Sequence, residues 1–176
     1  MFLDETGCNT TLYRLMGRAP RGVRLEERVP RNWKHNTTVL GALSLGAQAQ
    51  ENWQALILEG AADRLAFEAF IEHVVVPWLR PGQIVILDNL SAHKSAKAQR
   101  LVEEKGCRWV YLPTYSPDFN PIEMLWSKLK QYLRTVAART QEALEEAITH
   151  GLFRVSSQDA AGWFNAAGYP SPAQPA

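Results

Sequence analysis

The sequence predicts an α/β fold, in which a mixed sheet carries helices on both faces. Strand-like segments fill the first third of the chain, and helical and strand patterns alternate after them. The run "IVIL" at 84–87 is apolar on both faces, which is typical of a central buried strand. A length of 176 residues suits one compact domain with its own core, and a hydrophobic content of 46% suits a globular protein.

Four early segments are predicted to be strands of an antiparallel meander. They are "MFLD" at 1–4, "TLYRLMGR" at 11–18, "TTVLGALSLG" at 37–46 and "WQALILEG" at 53–60. Turn residues separate them in "TGCNT", in "APRG" and near Gln48–Asn52, and residues 24–36 form an arginine-rich loop. The first strand is expected to end at Asp4.

The rest of the chain alternates between the two kinds of element. Asp63 is the predicted N-cap of a helix that Pro77 and the "RPG" at 80–82 end. "QIVILDN" is then a strand, Ser95–Lys105 a helix and "CRWVYLP" another strand, and helices follow after Asn120 and from about Thr140 to Leu152. We expect one domain over residues 1–165 and a disordered tail over 166–176, which is rich in proline and alanine.

The segment "SPDFNPIEMLWSKLKQYLR" at 116–134 predicts a helix with an ambiguous glutamate in its first turn. Asn120 is a good N-cap residue, and Glu123 stands at the capping-box position three residues later. A buried stripe is predicted from the helical spacing of Ile122, Leu125, Trp126, Leu129 and Leu133. Trp126 is therefore a core residue, and Glu123 lies off the stripe. Taken alone, Glu123 is better explained as a cap than as a metal ligand.

Two of the predicted strands end in an aspartate, Asp4 and Asp88. Residues at the carboxyl ends of strands lie where α/β proteins usually have their active sites. Each aspartate could simply begin a turn. Together with Glu123 they would form three mutually repelling carboxylates, which take up protons unless a cation neutralises them. Carboxylate oxygens favour Mg²⁺ or Mn²⁺, and two such ions can support phosphoryl transfer. Cys8 and Cys107 match no metal-binding spacing, and are either free thiols or a disulfide.

The basic residues are concentrated in two regions, although the net charge is only +1. Residues 14–35 hold seven arginines and lysines against two glutamates, and residues 127–139 hold four against none. This clustering predicts a face for a polyanion, with an ordinary solvated surface as the alternative. The candidate DNA-binding residues are Arg18, Arg21, Arg24, Arg28, Arg31, Lys34, Lys128, Lys130 and Arg134.

Four stretches make the chain resemble the DDE transposases of the mariner superfamily, and in particular their bacterial insertion-sequence branch of the IS-six-thirty type. They are "FLDETG" at 2–7, "GRAPRG" at 17–22, "VILDNLSAHKS" at 85–95 and "LPTYSPDFNPIEMLWSKLKQYL" at 112–133. The 34 residues between Asp88 and Glu123 are also the interval of this superfamily.

The resemblance implies a ribonuclease-H-like fold in which the strands that carry Asp4 and Asp88 are neighbours. It makes Asp4, Asp88 and Glu123 the catalytic metal ligands for Mg²⁺ or Mn²⁺, with two ions expected. Asn89 and His93 match the family's "DN…H" stretch and are candidate supporting residues. Glu5 is not expected to be a ligand, because neighbours on a strand point to opposite faces, and Asp118 is expected to form a turn.

The implied activity is metal-dependent cleavage and strand transfer of double-stranded DNA at the ends of an insertion sequence. The implied partners are transposon-end and target DNA, a second copy in a homodimer, and a separate helix-turn-helix frame, because family members carry such a region before the first catalytic aspartate. The alternative is an inactive remnant or a DNA-binding module with the same fold. The sequence shows no signal peptide or membrane-spanning run, so we expect a cytoplasmic protein, and the resemblance implies a bacterial one.

Overall fold

The computed structural model describes residues 1–26, 28, 36–45, 52–90, 93–114 and 116–169. Its strands form one mixed sheet in the spatial order β3-β2-β1-β4-β5. The strands are β1 (Phe2–Cys8), β2 (Thr37–Leu43), β3 (Trp53–Glu59), β4 (Ile84–Leu87) and β5 (Arg108–Tyr111). The first three strands pair antiparallel, whereas β4 pairs parallel with both β1 and β5. The predicted α/β class is confirmed.

The helices connect the parallel strands and then follow the sheet. They are α1 (Arg64–Phe70), α2 (Val76–Trp78), α3 (Ala96–Glu104), α4 (Ile122–Val136), α5 (Gln141–Phe153) and α6 (Ser157–Ala166). A π-helical turn over Ile71–Val75 joins α1 to α2, and a 3₁₀ turn over Pro117–Phe119 precedes α4. The predicted cap Asp63 accepts a hydrogen bond from a backbone amide of its helix. Ser95 and Thr140, where two further helices were predicted to start, also cap their helices in this way, so all three predicted helix starts are confirmed.

Alternation along β1 divides the core into two layers, because successive strand residues point to opposite faces. Phe2 packs with residues of α4, α5 and α6 on one face. Leu3 packs with residues of α1, the π-helical turn and α3 on the other. All five residues of the predicted α4 stripe are buried, as expected. The sheet therefore carries helices on both faces, as predicted.

Three elements differ from the sequence prediction. Residues 11–18 form no strand, since their polar and apolar residues find no partner strand among the described residues. Strand β1 does not end at Asp4 but continues to Cys8, because β2 pairs with it along its whole length. Helix α6 was not predicted, although Ser156 and Asp159 form a capping box that marks its start.

The remaining predictions concern the cysteines, the membrane and the tail. Cys8 and Cys107 are both buried free thiols, which settles the choice between free thiols and a disulfide. Within the described ranges, no helix is both long enough and apolar enough to cross a bilayer. Tyr169 packs against Phe2 at a ring-centroid distance of 4.9 Å. Residues 170–176 lie outside the described residues, as does most of the turn predicted near Gln48–Asn52. The domain boundary stays a prediction.

Candidate active site

The pairing of β1 with β4 brings Asp4 and Asp88 to neighbouring positions. Phe2 is paired with Ile86 and Leu3 with Leu87, and the two aspartates are the next residues on the two strands. Strand β4 ends at Leu87, so Asp88 begins the loop that follows. Asp4 remains inside β1, where it is paired with Gly41 of β2 on its other side. The expected adjacency of the two carboxylate-bearing strands is present.

Neutral donors surround the Asp4 carboxylate, which is only 9% exposed. Its Oδ1 accepts a hydrogen bond of 2.8 Å from the backbone N–H of Glu5. Its Oδ2 accepts one of 3.1 Å from the indole N–H of Trp126, and the Asn120 amide nitrogen lies 3.5 Å from the same oxygen. No cationic side chain of the described residues bonds to this carboxylate. Its negative charge is therefore oriented but not neutralised.

The electrostatic consequence is a raised pKa for Asp4. Burial raises this pKa to about 7, and the carboxylates of Glu123 and Asp88 also raise it, against the hydrogen bonds from Glu5 and Trp126, which lower it. The carboxyl group is thus close to taking up a proton at neutral pH. A bound cation would remove the repulsion, which is the behaviour expected of a metal ligand in a metal-free protein.

Asp88 has a cationic partner instead. Its Oδ1 lies 2.5 Å from Nδ1 of His93 and also accepts a hydrogen bond of 3.1 Å from the Leu90 amide. His93 is 1% exposed, its Nε2 lies 3.6 Å from Oε2 of Glu5, and its ring lies 4.8 Å from the ring of Phe67. Glu5 therefore reaches His93 rather than Asp4, in accord with the expectation that it points away.

The pKa values of this pair move apart. Burial alone would lower the pKa of His93, but the hydrogen bond to Asp88 and the negative charges of Asp88 and Glu5 raise it to about 9. Burial opposes ionisation of Asp88, yet the hydrogen bonds from His93 and the Leu90 amide lower its pKa. Asp88 is therefore an anion held by a buried imidazolium at neutral pH.

Glu123 stands in the first turn of α4, exposed to solvent. Together with Asp88, Asn89 and Asn120 it lines a cavity of about 330 Å³, whose apolar wall includes Leu112. The predicted capping box is wrong, because the Asn120 side chain makes no hydrogen bond to the amides of α4. The amide of Asn120 is turned toward Asp4 instead, so capping does not explain why a glutamate occupies position 123.

The donor set fits a hard divalent cation. Asp4, Asp88 and Glu123 offer carboxylate oxygens, and Oδ1 of Asn120 is buried without a hydrogen-bond partner. The three carboxylates do not form a closed coordination cluster: over the described ranges, no group of three or more histidine, cysteine or acidic side chains is arranged to hold a metal ion. The three residues are nevertheless neighbours. Asp88 and Glu123 line the same cavity, and Asp4 is close enough for the charges of both to raise its pKa.

The predicted basic residues fall into two groups. Arg18, Arg21, Arg24 and Arg28 are exposed, while Arg31 and Lys34 lie outside the described residues. Lys128 is bonded to Asp159 at 2.6 Å, and Lys130 and Arg134 are partly buried.

The structure brings the two basic regions of the sequence together at one place. Arg14 and Arg18 of the first region and Arg134 of the second line a common surface cavity of about 630 Å³.

Sequence reasoning missed the roles of Asn120 and Trp126 beside Asp4. Trp126 is a core residue as predicted, at 3% exposure, but its indole nitrogen points to a carboxylate. A general rule could have indicated this role, because the N–H of a buried tryptophan usually has a hydrogen-bond acceptor. Asn89, the other predicted supporting residue, lines the same cavity as Asp88 and Glu123.

Comparison with known proteins identifies the family. A curated relative is the transposable element Tcb1 transposase of Caenorhabditis briggsae, 30% identical over 83 residues, which are 45% of this chain and 30% of that protein. The transposable element Tc1 transposase of Caenorhabditis elegans is 28% identical over 90 residues, or 49% of this chain and 33% of that protein. This chain thus matches about a third of the length of these relatives.

Solved structures show the same fold at low identity. The Mos1 transposase in a paired-end complex with the left transposon end superposes with a TM-score of 0.72 at 12% identity, over 96% of this chain and 51% of that one. The Mos1 catalytic domain with raltegravir and Mg gives 0.60 at 13%, over 96% and 77%. The ribonuclease-H-like fold of these domains is confirmed for this sheet and its helices. Residues 1–145 match the DDE superfamily endonuclease family, and the chain belongs to that family.

Proposed function

We propose that this chain is the catalytic domain of a transposase that cleaves DNA strands and transfers them at the ends of a mobile element. The observation that carries the proposal is the parallel pairing that sets Asp4 beside Asp88, with Glu123 on the cavity that Asp88 lines. The family match and the transposase relatives support it.

Asp4, Asp88 and Glu123 are proposed to hold Mg²⁺ or Mn²⁺, with two ions expected. Solved complexes of the similar Mos1 transposase include Mn and Mg forms, which supports this choice. When bound, such ions activate the attacking oxygen and stabilise the leaving oxygen of a phosphodiester. His93 keeps Asp88 ionised through the 2.5 Å contact. Asn120 adds a buried amide oxygen that has no other partner.

The basic surface is proposed to hold the DNA backbone through phosphates, which fix position without reading sequence. Its described members are exposed Arg18, Arg21, Arg24 and Arg28, and Arg134 lines the larger cavity together with Arg18. Lys128, which is bonded to Asp159, is a weaker candidate than Lys130 because its charge is already compensated.

The chain is further proposed to belong to the bacterial insertion-sequence branch of the IS-six-thirty type, and to act in the cytoplasm. The continuous motif at 112–133 supports this assignment. Because the chain matches only about a third of its curated relatives, recognition of the element ends is proposed to require a helix-turn-helix region outside this sequence. A homodimer is proposed for the active complex, since two ends must be joined.

The test is cleavage of supercoiled plasmid DNA in Mg²⁺ and in Mn²⁺ by the wild type and by Asp88→Asn. Wild-type nicking that is absent in the variant supports the proposal. The same substitution at Asp63, where Asn also caps a helix, is the control and should keep full activity. Metal-dependent DNA binding without cleavage by the wild type would instead favour a non-catalytic DNA-binding module.

A further inference from the structure

We propose that Trp126 is a positioning residue for Asp4: its indole N–H fixes the carboxylate so that the lone pairs left free can receive a divalent cation. This inference rests on the proposed function, because it takes Asp4 as a metal ligand. It gives a specific task to a side chain that packing alone would treat as an ordinary part of the core.

The hydrogen bond has an ordinary length and is enclosed by the core. The indole nitrogen lies 3.1 Å from Oδ2 of Asp4, and the two residues are 3% and 9% exposed. A buried N–H without an acceptor is costly, so the indole and the carboxylate hold each other in place. The other carboxylate oxygen of Asp4, Oδ1, accepts a hydrogen bond of 2.8 Å from the backbone N–H of Glu5. Oδ1 thus has one fixed donor and keeps a lone pair for a ligand. Oδ2 accepts from the Trp126 indole and lies 3.5 Å from the Asn120 amide nitrogen, a longer and weaker contact.

Gly41 makes room for this arrangement. It is the β2 residue paired with Asp4. A Cβ built on Gly41 would lie 2.4 Å from Cη2 and 2.8 Å from Cζ2 of Trp126, which is closer than real contacts allow. The indole therefore lies against bare backbone next to the residue that it bonds. Any side chain at position 41 would displace the indole and with it the donor to Asp4.

The neutrality of the donor matters for the proposed task. A lysine or arginine at this place would orient Asp4 but would also neutralise it and compete with a cation. An indole N–H orients the carboxylate and leaves its charge in place, as neighbouring residues commonly do for metal ligands. The Asn120 amide nitrogen, 3.5 Å from the same oxygen, is also neutral. Asp88 differs, because its partner His93 is a cation.

A purely structural Trp126 would fill the core and nothing more, so that phenylalanine could replace it without effect on metal binding. The first measurement is Mn²⁺ affinity by titration calorimetry for wild type and Trp126→Phe, which keeps an aromatic ring and removes the N–H. We expect affinity to fall about tenfold, the lower end for loss of such a hydrogen bond. Equal affinity in a folded Trp126→Phe would overturn the proposal.

Trp109→Phe is the matched control. The indole nitrogen of Trp109 is also buried but has no hydrogen-bond partner, so the same substitution removes a tryptophan N–H without removing a bond. Its Mn²⁺ affinity should equal that of the wild type. A loss equal to that of Trp126→Phe would mean that core disturbance, rather than the bond to Asp4, weakens the metal.

A second measurement does not depend on the folding of Trp126→Phe. In the ¹H–¹⁵N spectrum of the full chain, the assigned indole signal of Trp126 should move when Asp4→Asn removes the charged acceptor, and should also move on addition of Mg²⁺ to the wild type. The Trp109 indole signal should stay in place in both cases. An unmoved Trp126 signal in Asp4→Asn would contradict the proposal.

Asp88→Asn separates this inference from the proposed function. If wild type and Asp88→Asn bind Mn²⁺ equally, the proposed metal site itself is wrong, and the positioning role falls with it. If Asp88→Asn loses the metal while Trp126→Phe binds as tightly as the wild type, the proposed function stands and only the role of Trp126 is refuted.

Discussion

His93 and Asp88 are joined by the shortest ion pair of the site, with 2.5 Å between Nδ1 and Oδ1. The partner on the other ring nitrogen is Glu5, at 3.6 Å. The buried His93 imidazolium thus contacts both Glu5, which follows Asp4 in β1, and Asp88, which follows β4. Its charge compensates two carboxylates that the sheet places near one another.

Substitution of His93 should give a pH-dependent loss of stability. The pKa of His93 is raised to about 9 in the folded chain, above the ordinary 6.5. The extra stability is therefore fully present below about pH 6.5 and is lost as the pH rises through about 9. His93→Gln should cost roughly 2 kcal/mol near pH 6 and clearly less at pH 10, as measured by urea unfolding. The control His150→Gln, at an exposed site, should have little effect at every pH. A His93→Gln penalty that did not change with pH would argue against a charged His93.

Glu123→Gln should separate chemistry from folding. Glu123 is exposed and the capping box is not formed, so the free energy of unfolding should change by less than about 1 kcal/mol. Metal-dependent plasmid nicking should nevertheless collapse, because the variant lacks one negative charge beside the cavity. Glu142→Gln, in the first turn of α5, is a matched control with normal nicking. Wild-type cleavage by Glu123→Gln would remove Glu123 from the proposed ligand set.

Gly41→Ala should destabilise the protein by about 1–3 kcal/mol, the usual cost of overpacking a core. The added methyl would meet the Trp126 ring at 2.4 Å. Gly162→Ala is the opposite case, since a Cβ there meets nothing within 4 Å and the residue lies in α6. This control should gain about 0.5–1 kcal/mol through helix propensity. Thermal unfolding of both variants tests the contrast, and equal melting temperatures would show that the indole can move aside.

The exposed arginines should set the salt dependence of DNA binding. Removal of one arginine–phosphate interaction should reduce the slope of log K against log salt concentration by about 0.9. The triple change of Arg18, Arg21 and Arg24 to alanine should therefore flatten this slope in fluorescence titrations with duplex DNA. The control is a triple variant in which Arg64, Arg100 and Arg108, which are also exposed, are changed to alanine. If both triple variants flattened the slope equally, general charge rather than this segment would be responsible.

The sequence predicted those parts of the site that depend on local patterns. Apolar runs located the strands that carry or precede Asp4 and Asp88, and helical spacing located the buried face of α4. The β1–β4 pairing was implied by family resemblance rather than by the patterns. Helix α6 was missed because its short apolar pattern is weak next to a proline-rich tail, even though Ser156 and Asp159 mark its start.

Local sequence patterns could not predict the orientation of the Asn120 side chain. Its position in the sequence favours capping, but a buried carboxylate from a strand more than a hundred residues earlier competes for the same amide. The indole bond of Trp126 is equally non-local, since only the folded sheet places Asp4 under α4. Tertiary contacts decide such choices after local preferences have been overridden.

The parallel ladder between β1 and β4 has a mechanical consequence. It consists of two residue pairs, Phe2 with Ile86 and Leu3 with Leu87, whereas β2 pairs with all seven residues of β1. Asp4 thus lies within a strand paired along its whole length, and Asp88 lies on backbone that has just left the sheet. The position of the Asp88 carboxylate is therefore set by side-chain and loop contacts, chiefly the ion pair with buried His93 and the Leu90 amide, and not by the strand ladder. One carboxylate of the site is thus placed by backbone pairing within the sheet, and the other by an ion pair outside it, so a change at His93 would move Asp88 and leave Asp4 where it is.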